Sequence, residues 1–168
     1  MSYLNIAPEN FEDGLISIAS STHQNEGFQD FIDDLETEYL KDLLGCDLYD
    51  LFIADLVDGV PQSAIYLSIF NSFSIDIIKG HQARSKGIVG MLERFIYWDY
   101  VRYQRLKNTP NGNVVNESEA AKEGRNKRMF NTYNEGIDTF CAIQWYINKN
   151  ISDYPSYNGL TKNKVSWI

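Results

Sequence analysis

The side chains able to do chemistry are few and scattered. The histidines are His23 and His81, and the cysteines are Cys46 and Cys141. None belongs to an H-x-x-x-H or C-x-x-C pattern, so the spacing predicts no zinc site. The acids between 26 and 44 do not follow the calcium loop, which needs oxygen ligands on a turn with a central glycine. "GHQARSKGIVG" (80–90) offers three glycines and a Ser-Lys pair ahead of a helix. It lacks the G-K-[ST] order in which backbone amides and a lysine cradle a nucleotide, and no clear strand precedes it. A helix start beside Arg84 and Lys86 could still meet an anion; a plain connecting loop is the simpler reading. Cys46 stands beside a helix start, where a thiol pKa falls, but neither cysteine has a histidine at working distance in sequence. Buried, reduced structural thiols are the expectation for both. With no G-x-S-x-G elbow either, the expected inventory of catalytic residues, cofactors and metals is none.

Charge is more informative. The 168 residues carry a net charge of −8. Residues 1–78 hold fifteen acids against one base (Lys41), a net −14; residues 79–168 hold fourteen bases against eight acids, a net +6. Such a polarised chain can attract copies of itself, acidic surface to basic surface, in a head-to-tail contact. The halves can also neutralise each other within one subunit, and sequence alone leaves both readings open. "RYQRLK" (102–107) and "KEGRNKR" (122–128) are basic with aromatics near the first, a composition that can bind single strands by stacking and charge. Overall acidity opposes tight independent DNA binding. No run of eighteen apolar residues is present, so no transmembrane helix is expected. No basic-then-apolar secretory signal is visible at the N-terminus.

The elements that must position these residues read as an all-α bundle of about four to five helices. An extended N-terminal arm (1–24) and an irregular C-terminal docking tail (151–168) flank a helical domain over 25–150. In the arm, "GLISIASS" (14–21) alternates as a short strand would. The first helix is expected at about 26–44, capped by Asn25. Its stripe is Phe28, Phe31, Ile32, Leu35, Tyr39, Leu40, Leu43 and Leu44, with acids including Glu36 outside it. Gly45 stops it, and Asp47 caps a second helix at about 48–57. A further helix is expected over 62–79 and a loop over 80–87. A helix at about 88–107 is apolar nearly all round, as a central helix or one that also meets another subunit would be. After the turn cluster "NTPNGN" a long last helix covers about 118–148, where Gly124 and Gly136 mark close packing or a bend.

These stretches carry a likeness. "FIDDLETEYLKDLLGCDLYDLF", then "IIKG", "SKGIVGMLERFIYWDYVR" and "NTPNGNVVNESEA" before a long closing helix resemble the head-to-tail connector (adaptor, neck ring) proteins of tailed bacteriophages. The likeness is nearest to those of crAss-like and related Bacteroides phages and prophages, and it covers about residues 25–150. It implies a non-enzymatic virion protein, assembled in the bacterial host cytoplasm into a ring, commonly of twelve subunits, beneath the portal. Such a ring extends the channel for genomic double-stranded DNA, without reading its sequence, and forms the platform for the tail. The implied partners are copies of itself, the portal protein and other neck or tail rings, with no membrane. Candidate contact residues are the acids Glu38, Asp42 and Asp50, the bases Arg102, Arg105, Arg125 and Arg128, and the tail residues Tyr154, Tyr157, Trp167 and Ile168. The alternative is a nucleic-acid-binding accessory protein that uses the four arginines. A small helical enzyme and an acidic nucleic-acid mimic are weaker competitors.

Overall fold

The computed structural model describes residues 2–12, 14–18, 26–78, 81–106 and 119–165. Among them run α1 (Glu26–Leu44), α2 (Cys46–Ala54), a two-stranded sheet of β1 (Leu56–Val57) and β2 (Val60–Pro61), and α3 (Ala64–Phe70). A second sheet of β3 (Phe73–Ile78) and β4 (His81–Ser85) follows, then α4 (Gly87–Leu106) and α5 (Glu119–Lys149). The chain is mostly helical, as the periodicity predicts, but the two antiparallel sheets make it not purely all-α.

α1 forms where its stripe demands it. Phe28, Ile32, Tyr39, Leu40, Leu43 and Leu44 are all buried, and Phe31 and Leu35 pack against the same core. α4 is the central helix: Ile88, Met91, Leu92, Phe95, Ile96, Tyr97, Trp98 and Tyr100 are all buried by α1, α3, α5 and the N-terminal turns of the same chain. Its all-round apolar character is therefore accounted for within one subunit. α5 packs antiparallel to it, with Arg94 beside Glu135 and Trp98 beside Phe130 and Tyr133. Gly136 marks close packing, since a Cβ there would lie 2.8 Å from the Phe95 ring.

The helix expected over 62–79 ends at Phe70, and the loop expected over 80–87 holds a strand. Asn71 is extended (φ −78, ψ 163), and from Phe73 the chain pairs with His81–Ser85, Phe73 opposite Ser85 and Ile75 opposite Ala83. Burial alternates along β3, with Ile75 buried between exposed Ser74 and Asp76, the period of a half-buried strand. The helix expected over 48–57 is Cys46–Ala54, with Gly45 rather than Asp47 at its N-cap and Asp47 in its first turn. It stops because Leu56–Pro61 is a tight hairpin. Asp58 and Gly59 both take positive φ (50 and 80), the requirement of a two-residue type I′ turn.

Residues 2–12 and 14–18 fold onto their own domain. Leu4, Ile6, Phe11 and Ile18 are buried in the common core. The strand-like reading of 14–21 gives way to a 3-10 turn at Gly14–Ile16, with the rest of that stretch partly outside the described residues. The expected cap Asn25 also lies outside them.

Candidate functional site

The α1–α2 corner is built by a remote segment. A helix ends with carbonyls that have no intrahelical partner. Here Asn158 N–H donates to Leu44 O at 3.2 Å and Leu160 N–H donates to Asp42 O at 2.7 Å. The tail lies so close that only glycines fit at the contact. A Cβ on Gly45 would stand 2.6 Å from Asn158 O, and one on Gly159 would overlap Leu43 O. Gly45 also holds φ 78, ψ 161, a conformation closed to other residues without strain. Lys162 completes the clasp, 2.7 Å from Asp42 and over the Tyr39 ring at 4.6 Å. Beyond it, Gln144 donates to Leu160 O, Lys164 pairs with Asp138, and Asn134 and Val165 exchange two hydrogen bonds. The tail thus docks along α5 of its own chain.

This placement sorts the tail candidates. Tyr154 is fully buried and donates its hydroxyl to Ile65 O at 2.7 Å, and burial pushes its phenol pKa up to about 12. Tyr157 is half-buried against the same core. Both are internal anchors. Trp167 and Ile168 lie outside the described residues.

Among the acids, Asp42 is consumed by Lys162, while Glu38 and Asp50 are exposed and have no ion-pair partner among the described residues. Asp47, Asp50, Leu51 and Ala54 fall at helical spacing and are all exposed, so they share the solvent face of α2. Leu51 is 51% exposed. Glu36, expected outside the apolar stripe, is fully buried. Its carboxylate accepts from Ser2 Oγ, from Tyr3 N at 2.8 Å and from Leu4 N at 3.1 Å, and so fastens the N-terminal segment. Burial nevertheless raises its pKa, the hydrogen bonds only partly offsetting the loss of water. Tyr39 donates to Asp99 inside the bundle, and burial, then that bond, holds the phenol well above its ordinary range. Sequence reasoning missed both polar pairs, because each joins segments far apart in the chain.

Among the bases, the antiparallel α4–α5 pairing decides the geometry. With Arg94 beside Glu135 and Trp98 beside Phe130, Arg102 and Arg105 come to the same end of the bundle as Arg125 and Arg128. The two basic segments converge. Arg102 lies over the Trp98 ring at 5.3 Å and 3.8 Å from Asp99, and the adjacent Tyr103 is 48% exposed. Arg128 is turned inward to the N-terminal segment, donating to Leu15 O at 2.7 Å and Gly14 O at 2.5 Å. The side chains of Arg105 and Arg125 lie outside the described residues.

The basic end and the acidic corner are apart. Phe31 touches Tyr103, and Gly45 lies fourteen residues further along α1, about 21 Å at 1.5 Å per residue. Exposed Asp30 and Asp34 sit on the turns of α1 nearer the basic end. Lys162–Asp42 joins the two halves of the chain, whereas Lys86 and Arg94 with Glu135, Arg102 with Asp99 and Lys164 with Asp138 stay within the second half.

The remaining chemistry is thin. Among the described residues no three His, Cys, Asp or Glu side chains gather as a metal site. His23 lies outside them and His81 is exposed at the start of β4. Both cysteines are exposed, against the expectation of burial, because each falls on the outer side of its helix. The Cys141 thiol is pushed up by partial burial and by Asp138, the opposite of nucleophile activation. An open groove of about 610 Å³ at the base of β3–β4 is lined by Ser72, Phe73, Arg84, Lys86, Glu135 and Thr139, among others. Strands do precede this helix start, and two of the amides there are taken: Gly87 N–H donates to Ser85 Oγ at 3.0 Å and Lys86 N–H to Thr139 Oγ1 at 3.4 Å. No helix among the described residues is long and apolar enough to cross a membrane. Comparison with family models, with curated proteins and with solved structures finds no match.

Proposed function

We propose that this chain is a head-to-tail connector of a tailed bacteriophage: a virion structural protein that forms a ring, of about twelve subunits by the resemblance, between portal and tail. The reading is non-enzymatic. The ring extends the DNA channel in the neck of the virion, binds the portal protein on one side and the next neck or tail ring on the other, and uses no cofactor. The observation that carries it is the distance on one bundle between the acids Glu38 and Asp50 of the α1–α2 corner, without an ion-pair partner among the described residues, and the basic α4–α5 end, about 21 Å along α1. A subunit of this form is suited to heterologous contacts, which close into rings when the rotation allows. The likeness of the corner and of α4 to the connectors supports the same reading.

Purified protein mixed with portal rings tests it. Co-sedimentation of the protein with portal, reduced by salt, is expected. A protein that stays monomeric and ignores portal at every concentration would sink the connector reading. The second reading, a nucleic-acid-binding accessory protein, is favoured by the convergence of basic residues beside Trp98 and Tyr103. It predicts that the isolated subunit binds DNA with strong salt dependence, and that Arg102→Ala lowers the salt slope by about one.

A further inference from the structure

We infer that the solvent face of α2, made by Asp47, Asp50, Leu51 and Ala54, is the seat for the basic end of a second copy of this chain, carrying Arg102 and Tyr103. The partner surface rests on the ring-forming reading above and gives it two named faces.

Four observations converge. The α2 face has no partner among the described residues: Asp47, Asp50, Leu51 and Ala54 are exposed along one side of a helix whose other side, Leu48, Tyr49 and Phe52, is buried. It has the layout of a small interface, with an apolar centre at Leu51 and a charged rim. Its charge is not compensated locally, because Asp47 and Asp50 have no ion-pair partner among the described residues. The complementary surface exists on the same molecule. Arg102 lies over the Trp98 ring at 5.3 Å, is half-exposed although Asp99 stands 3.8 Å away, and Tyr103 beside it is an amphipathic ring at the surface. Arginine and tyrosine are the side chains that most often anchor an interface. The two surfaces are too far apart to meet within one subunit, since they sit near opposite ends of α1. Each can be satisfied by a neighbour, and because the faces differ, the contact is heterologous and propagates from copy to copy.

Charge reversal tests the pairing without touching the core, since the mutated side chains are exposed. Sedimentation velocity in low salt measures self-association of the full chain, with thermal unfolding as the control for folding. The pair Asp47→Arg and Asp50→Arg makes both surfaces basic, and Arg102→Glu places a carboxylate in the basic surface, opposite Asp47 and Asp50. Each variant is expected to self-associate at least about tenfold more weakly than the parent, because like charges now face each other. An equimolar mixture of the two is expected to recover association, since the basic α2 face of one meets the carboxylate introduced at position 102 of the other. Leu51→Ser should weaken the contact without altering its salt dependence. If the parent is a monomer at every concentration, or if it associates but neither reversal changes this, the assignment of faces is wrong. Binding of the same variants to portal separates the two claims. Portal binding that survives while self-association shows no response to reversal leaves the connector reading standing and removes this contact. Loss of both for the parent chain removes the connector reading itself.

Discussion

Replacing Gly45 by alanine should unlatch the tail, and the magnitude can be worked from the corner. Alanine at φ 78, ψ 161 stores about 1–3 kcal/mol of backbone strain. Its Cβ would also stand 2.6 Å from Asn158 O and 2.7 Å from Asn158 C, both main-chain atoms that cannot rotate aside. The tail must therefore lift. Lifting gives up the Asn158–Leu44 and Leu160–Asp42 hydrogen bonds, about 1 kcal/mol each net, and the Lys162–Asp42 pair, about 0.5–1 kcal/mol after screening. The full cost is then about 3–6 kcal/mol, a large share of the stability of an ordinary domain. In a chain ending at Tyr154 the clash is already gone, and the same substitution should cost only the strain. Urea and thermal unfolding of the parent, Gly45→Ala, the truncated chain and the combination form a double-mutant cycle. A coupling of about 2.5–3 kcal/mol is expected, or about 5–12 °C in Tm for a domain of this size. Costs that add to within about 0.5 kcal/mol would refute the clasp, because they would mean that Gly45 and the tail act independently.

Gly159→Ala should reproduce the truncated chain in the same unfolding assay, as its Cβ would overlap Leu43 O. Gly136→Ala should destabilise by about 1–2 kcal/mol despite the better helix propensity of alanine, because the added methyl meets the Phe95 ring at 2.8 Å. Tyr154→Phe should cost about 1 kcal/mol, the net worth of the hydroxyl bond to Ile65 O. Glu36 carries a pH signature. Its folded pKa is raised above 4.5, so the folded chain holds the proton longer than the unfolded one. Its contribution is fully present below pH 4.5 and is lost as pH rises through the folded value. Glu36→Gln removes that component, and the stability of the variant relative to the parent should rise from pH 4 to neutrality. A difference that stays flat across that range would show that Glu36 is not the titrating group.

The helices with one long apolar stripe were legible without coordinates. Phe28 to Leu44 repeats at helical spacing, and the nearly continuous apolar surface of Ile88 to Tyr100 announces a helix buried on several sides. The β3–β4 hairpin was not legible. "SAIYLSIF" and "FSIDII" are both apolar, and the break between them at Asn71 and Ser72 contains neither glycine nor proline. "HQARS" has almost no strand propensity of its own and becomes a strand only because β3 lies beside it. The β1–β2 hairpin was different, because "VDGV" carries the Asp-Gly signal of a type I′ turn, and the helix expected over 48–57 ran into it.

By itself the sequence determined the helical stripes, the glycine at the corner and the division of charge between its two halves, since local periodicity and composition are properties of neighbours along the chain. Only the tertiary structure decided what those features meet. It brought Asn158 to Leu44, Ser2 to Glu36 and the Arg102 end of α4 to the Arg128 end of α5. It also turned Tyr154 and Arg128 into internal supports while leaving Asp50 and Leu51 facing water. Those outcomes depend on which distant segments arrive at the same place, and a hydrogen bond or an ion pair across the fold leaves no periodic trace in the chain that makes it.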